Sequence, residues 1–295
     1  MIDVTGIGIS SPGFRSGDPE EIADAAAELE ELGFSSLWAP DVGGNVFGAI
    51  ERLLRATRTI TVATGVANVW MHPSDEAAEA HSRLAREHGD RFLLGLGVGH
   101  APRVNRIADG LYRDPLGAMA RYLDGLDEAG SPVPLESRLL AALGPKMLDL
   151  AARRTAGSHT FHVVPEHTAV AREALGPGKV LVPGLTVVLT TDPEVARARS
   201  RAYLAHYLQL PNYVNNLRRL GFDDTDVTDG GSDRLIDRLI AWGDHEAIAA
   251  RIEAHREAGA DGVCLWVLGE DPTGLGLLRP EWRELAAGLA LRPSS

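Results

Sequence analysis

One pattern restricts the fold more than any other: eight times along the 295 residues, a short run of β-branched and apolar residues gives way to helical sequence. The extended runs fall at 4–10, 34–41, 59–68, 92–99, 138–143, 159–164, 185–190 and 261–268. A helix between two strands returns the chain to the end from which it started. The strands must then lie parallel, and eight such units close into a (β/α)8 barrel. The helix entries are marked. Asp18-Pro19-Glu20-Glu21 and Asp192-Pro193-Glu194 each set a capping carboxylate before a proline that fits the first turn, with acids at the positive end of the dipole.

Two stretches break the rhythm, 101–136 after the fourth strand and 191–244 after the seventh. Both leave from strand C-termini, the face on which such barrels keep their sites. The expected organisation is one domain, 1–295, with insertions at these two places. It puts Asp41, Gly99 and Gly144 at strand C-termini and Trp38, Val69 and Trp266 near one rim.

The chain is 44% hydrophobic, enough for a large core, and its formal net charge is −12. No Lys/Arg block occurs, which speaks against a nucleic-acid partner. No stretch approaches the roughly 20 apolar residues of a membrane span. Met1-Ile2-Asp3-Val4-Thr5-Gly6 lacks a basic segment leading into an apolar one. The expectation is a cytoplasmic protein with no membrane partner that acts on a small molecule. The single cysteine, Cys264, excludes an internal disulfide, and its apolar setting reads as a buried strand with a packed thiol.

Several features could carry chemistry, and each has a plainer explanation. Gly95-Leu96-Gly97-Val98-Gly99-His100 has G-x-G-x-G spacing on the fourth strand, and Ala101-Pro102-Arg103 opens no clean helix, so a dinucleotide fingerprint is disfavoured. Its glycines either relieve crowding or let backbone approach a planar ligand. Leu143-Gly144-Pro145-Lys146-Met147 passes from strand to helix with hardly a loop. A helix start beside Lys146 suits a phosphate, and a tight connection with a solvated lysine fits equally. Asp41 either faces the site or caps the helix near Val46. Of the ten histidines, His81 and His88 read as solvated on one helix, and His159 and His162 fall on opposite strand faces. No zinc-binding spacing occurs, so no metal is expected.

Several segments, in order, resemble the luciferase-like monooxygenase superfamily, in particular its actinobacterial branch of F420-dependent oxidoreductases. The carriers are Gly33-Phe34-Ser35-Ser36-Leu37-Trp38-Ala39-Pro40-Asp41, Ala63-Thr64-Gly65-Val66-Ala67-Asn68 with His72-Pro73, Gly89-Asp90-Arg91-Phe92 through Gly99, Gly144-Pro145-Lys146-Met147, and Pro211-Asn212-Tyr213 through Phe222. The resemblance implies a bulge at the end of the third strand with a cis peptide between Gly65 and Val66, supporting the cofactor ring together with Ala67. It implies Asp41 and Asn68 beside the ring. Gly97, Val98, Gly99 and His100, then Ala142, Leu143, Gly144, Pro145, Lys146 and Met147, would take the ribityl chain and phosphate. His159 and Thr160 are further cofactor candidates. The family's dimers make a homodimer the implied assembly.

One departure matters. Many deazaflavin dehydrogenases of this superfamily carry an acid/base histidine directly after the strand-two aspartate, and this chain has Val42 there. With Asp41, the candidates for catalysis become His72 and His100, whose type titrates in the right range. Trp70 and Trp266 complete the expected pocket wall. The implied activity is hydride transfer between F420 and an organic substrate. An FMN-dependent monooxygenase and a non-catalytic flavin-binding barrel are the alternatives.

Overall fold

The computed structural model describes residues 2–271 and 275–293. Strand β1 (Gly6–Ser10) leads to helix α1 (Pro19–Glu31), β2 (Ser36–Ala39) to α2 (Val46–Ala56), and β3 (Thr61–Thr64) with β4 (Ala67–Asn68) to α3 (Ser74–His88). Then β5 (Phe92–Gly97) is followed by α4 (Ala101–Val104) and α5 (Pro115–Glu128), β6 (Arg138–Ala141) by α6 (Pro145–Arg154), and β7 (Gly157–Phe161) by α7 (Pro165–Leu175). The last part runs β8 (Val180–Leu189), α8 (Pro193–Tyr207), α9 (Pro211–Arg219), α10 (Asp233–Leu239), β9 (Ile240–Gly243), α11 (His245–Glu257), β10 (Gly262–Val267) and α12 (Arg279–Gly288).

The helix entries follow the sequence signals. Asp18 accepts the Glu20 and Glu21 N–H groups at 2.8 and 3.2 Å, and Asp192 those of Glu194 and Val195 at 2.9 and 3.3 Å. The cap of α2 is Asn45, which accepts the Gly48 N–H at 2.8 Å. Asp41 is therefore free of capping duty.

All pairings are parallel. β1 pairs with β2 and with β10, and β10 with β8, so β1, β2, β3, β5, β6, β7, β8 and β10 close a barrel, with β4 continuing beside β5. The third strand is interrupted rather than continuous, with a cis Gly65–Val66 peptide between β3 and β4. The sixth ends earlier than the sequence suggests, at Phe161, and His162 leaves it at φ 54°. β9 lies inside the second excursion and was not expected. Val187 pairs with Val267 on one edge and Ala241 on the other, while the last pair of β7 is Phe161 with Gly184. β9 thus prolongs the edge of β8 where β7 stops. It follows α10 without a loop, so nothing separates it in sequence. Ala101-Pro102-Arg103 does form helix, but only the short α4.

Trp38 was expected near the rim with Val69 and Trp266. It is instead wholly buried, in a cluster with Ala63, Leu93, Leu139, Val182 and Cys264, contributed by β3, β5, β6, β8 and β10. Its ring stacks on His159 at 4.6 Å, and its Nε1–H donates to Ser36 Oγ at 2.9 Å. Gly8 makes this possible, since a Cβ there would collide with Ser36 and the indole. Trp38 and His159 form a filled barrel plug beneath the site. Burial also raises the Cys264 thiol well above its ordinary value, as a packed thiol requires. His81 is not solvated: it is buried, 5.3 Å from the Phe92 ring.

The second excursion brings its own core. Leu204, Leu217, Phe222, Ile236 and Ile240 pack together with Val164 and Val188. This gives α8, α9 and α10 a fixed seat on the barrel rather than a loose loop. Among the described residues, no helix is long and apolar enough to cross a membrane.

Candidate functional site

Two adjoining cavities open at the C-terminal ends of the strands. The first, about 310 Å3, lies over β1, β2 and the interrupted third strand, and the second, about 460 Å3, over the start of α6. They share Val66, Gly97, Gly99, His100, Ala141, His159, Phe161 and Tyr213, and so adjoin along a common wall.

The third-strand interruption is built by its neighbours. A Cβ on Gly97 would come within 2.6 Å of Val66 Cγ2, and one on Gly99, at φ +60°, within 2.7 Å of Asn68 Nδ2. These glycines first make room for the bulge side chains, so the crowding explanation holds for the contacts seen. Asp41 then fixes the bulge to β2. Its Oδ2 accepts the Asn68 N–H at 3.0 Å and lies 2.9 Å from His72 Nε2, while Oδ1 accepts the Gly43 N–H at 3.3 Å. Burial pushes the carboxyl up, but His72 and the Asn68 and Gly43 amides pull it further down, and the net value lies below the ordinary one. Asp41 is a carboxylate with its oxygens engaged and is not poised to give a proton.

His100 is differently placed. It lies between β5 and α4, in both cavities, with Nδ1 3.1 Å from Asn212 Oδ1 at the start of α9. Since that oxygen only accepts, Nδ1 carries the proton and Nε2 keeps its lone pair. Burial lowers the His100 pKa, the Asn212 bond opposes this, and His206 and Arg103 add to the lowering. The ring is a neutral base at pH 7.

Behind His100 stands an aromatic group made by the end of β7 and the second excursion. His162 lies 4.0 Å from Phe161, 4.2 Å from Tyr207, 5.1 Å from Tyr213 and 5.5 Å from Tyr203, ring to ring. Neither His162 nitrogen has a partner among the described residues, and burial drops its pKa to about 3. Burial likewise drops His159 to about 4, against a bond to the Val182 carbonyl at 2.8 Å, and raises Tyr207 and Tyr213. Burial thus favours the neutral form of each of these rings.

At the far end of the second cavity, α6 starts at Gly144 with no side-chain cap. A Cβ on Gly144 would meet nothing within 4 Å. Lys146 and Arg219 line this end, and neither reaches a carboxylate among the described residues.

Of the residues singled out in the sequence, Asp41, Gly65, Val66, Asn68, Gly97, Gly99, His100, His159 and Trp266 line the first cavity. Val98, Ala142, Leu143, Gly144, Pro145, Lys146 and Met147 line the second. Ala67, Thr160, Trp70 and His72 line neither. Ala67 belongs to the outer core, and Thr160 alternates away from the inward-facing His159 and Phe161. Trp70 braces the wall by donating to the Val98 carbonyl at 2.9 Å, and His72 stands behind Asp41. Sequence reading missed Arg103, Arg106, Phe161, His206, Tyr207, Tyr213 and Arg219. Tyr203 and Tyr207, four apart on α8, were the available signal, since residues so spaced share a helix face.

Residues 4–130 and 132–262 match the family model described as luciferase-like monooxygenase. A 5,10-methylenetetrahydromethanopterin reductase of Methanolobus tindarius is 25% identical over 286 residues, covering 85% of each chain. An F420-dependent secondary alcohol dehydrogenase, solved with an F420–acetone adduct, superposes with a TM-score of 0.72 at 14% identity, over 94% of this chain and 98% of that one. The oxygenating constituent of 3,6-diketocamphane monooxygenase from Pseudomonas putida, solved with FMN, gives 0.68 at 13% identity over 99% of each. The two structural likenesses show a common fold.

Proposed function

The chain belongs to the luciferase-like monooxygenase family and is an oxidoreductase, and from that premise we propose that it moves a hydride between the deazaflavin coenzyme F420 and a small organic substrate. The observation that carries this reading is the pair of adjoining cavities with a common wall: the first is faced by aromatic rings and also carries Arg103 and Arg106, and the second carries Lys146 and Arg219 beside the start of α6. A planar ring with a phosphorylated tail suits that combination. The 25% identical reductase supports a deazaflavin over a flavin, because the tetrahydromethanopterin reductase of Methanopyrus kandleri is described as F420-dependent.

The residues present fit such a cofactor. Asn68 Oδ1 is taken by the Trp70 N–H at 3.0 Å, while its amide nitrogen donates to none of the described residues. Val66 and Asn68 would support and anchor the ring. Lys146, Arg219 and the uncapped start of α6 would hold the phosphate by charge and dipole. When bound, the deazaflavin supplies a two-electron acceptor or donor.

The rest falls to this chain. In the oxidising direction a substrate alcohol gives up its C–H bond pair as hydride, and its hydroxyl proton passes to His100 Nε2. In the reducing direction His100 returns that proton to the carbonyl oxygen. Asn212 fixes the ring so that Nε2 is the free nitrogen. Phe161, Tyr207 and Trp266 keep water from the reacting carbon. His100 thus takes the place of the histidine that position 42 lacks.

The test is anaerobic. The protein is mixed with F420 and a panel of secondary alcohols, then with reduced F420 and the matching ketones, and the visible band of the deazaflavin is followed. The reading expects substrate-dependent bleaching and recovery. Oxygen consumption and oxygenated product with reduced FMN, with no change in F420, would favour a flavin monooxygenase instead.

A further inference from the structure

Arg103, on α4, and Arg106, just after it, are three residues apart, and both line the first cavity. Neither meets a carboxylate among the described residues. Other arginines are held by pairs of acids: Arg154 lies between Asp124 and Asp127, Arg197 between Asp233 and Asp237. Asp41 is the one acid among the described residues of that lining, and His72 and Asn68 already engage it. In a chain of net charge −12, the uncommitted charge around this opening is therefore positive. Arg103 also acts on the candidate base: after burial, its charge is among the lesser influences lowering His100.

We infer that the substrate carries an oxyacid group, carboxylate or phosphate, which Arg103 and Arg106 grip while its reacting carbon lies against His100. The inference rests on the reading of the first cavity as the place of hydride transfer. A guanidinium fork matches both oxyacids and holds them in a fixed orientation. The cofactor phosphate is accounted for by Lys146 and Arg219 in the other cavity, so this second pair is left for the substrate. Phe161, Tyr207 and Trp266 face its apolar part.

The experiment is calorimetric and needs no turnover. The full chain, with and without F420, is titrated with 3-phenylpropionate, 2-phenylethyl phosphate and the neutral 3-phenylpropanamide. The parent is expected to prefer at least one anion over the amide by about tenfold or more, less at high salt. Whichever anion wins identifies the oxyacid. The Arg103→Gln/Arg106→Gln variant should lose that preference while keeping its F420 affinity, and an Arg103→Lys/Arg106→Lys variant should recover part of it. The inference is overturned if the parent shows no preference, if the glutamine variant retains it, or if that variant loses F420 affinity, which would give the pair to the cofactor. A parent that fails to bind F420 defeats the cofactor reading alone, since the titration without F420 still decides the anion site.

Discussion

His72 Nε2 stands 2.9 Å from Asp41 Oδ2, the same oxygen that receives the Asn68 N–H at 3.0 Å. One carboxylate therefore joins the end of β2, the third-strand bulge and the approach to α3. His72, one of the catalytic candidates offered by the sequence, lines neither cavity and stands behind this carboxylate.

Removing that carboxylate leaves a buried N–H without a partner. Asp41→Ala should cost about 1–3 kcal/mol of stability and weaken F420 binding through the displaced bulge. Asp41→Asn, which keeps one acceptor, should cost less. Denaturant midpoints check the first point and cofactor titration the second. The carboxyl is held below its ordinary value of 3.8, so its contribution is complete above that pH and fades as the pH falls through the lowered value. Equal stability in parent and alanine variant would remove Asp41 from this role.

His100 must be neutral to accept a proton. Its pKa is lowered from 6.5, so alcohol oxidation should hold its rate down through neutral pH and fall on an acid limb below that value. His100→Gln should abolish the limb and reduce turnover by about 10²–10⁴ with cofactor affinity nearly unchanged. Asn212→Asp puts a charge on Nδ1–H and should move the limb to higher pH. A limb that stays in place in both variants belongs to another group.

His162 is buried with a pKa near 3, against 6.5 when exposed. The unfolded chain therefore gains a proton that the folded chain refuses, and stability drains away as pH falls from 6.5 towards 3. In His162→Phe this drain is absent. Denaturant midpoints at pH 7 and pH 5 should fall less for the variant than for the parent, and equal falls would contradict the burial argument.

Lys146→Ala and Arg219→Ala should each weaken F420 binding modestly, since the α6 start supplies part of the site. The double variant should lose about tenfold or more, with reduced salt dependence. Parent-like titration of the double variant would move the phosphate elsewhere.

The barrel was legible because β-branched runs and capped helices alternate with local regularity: Asp18 and Asp192 cap where the sequence says. The α6 start was legible in the loopless Leu143-Gly144-Pro145-Lys146 junction, and the Gly65–Val66 bond only through family likeness. The substrate wall was not. Tyr207, Tyr213 and Arg103 come from excursions whose place over the barrel is set by tertiary packing of Leu204, Leu217 and Ile236, not by any local period. Thr160, a candidate by family likeness, lines neither cavity because it alternates with His159 and Phe161 along β7.

One titration tests the cofactor most directly: the full chain with F420 and separately with FMN, followed by calorimetry under one buffer. The expected result is saturable F420 binding at one site per chain, tighter than FMN. Tighter binding of FMN, or no binding of either, would contradict it.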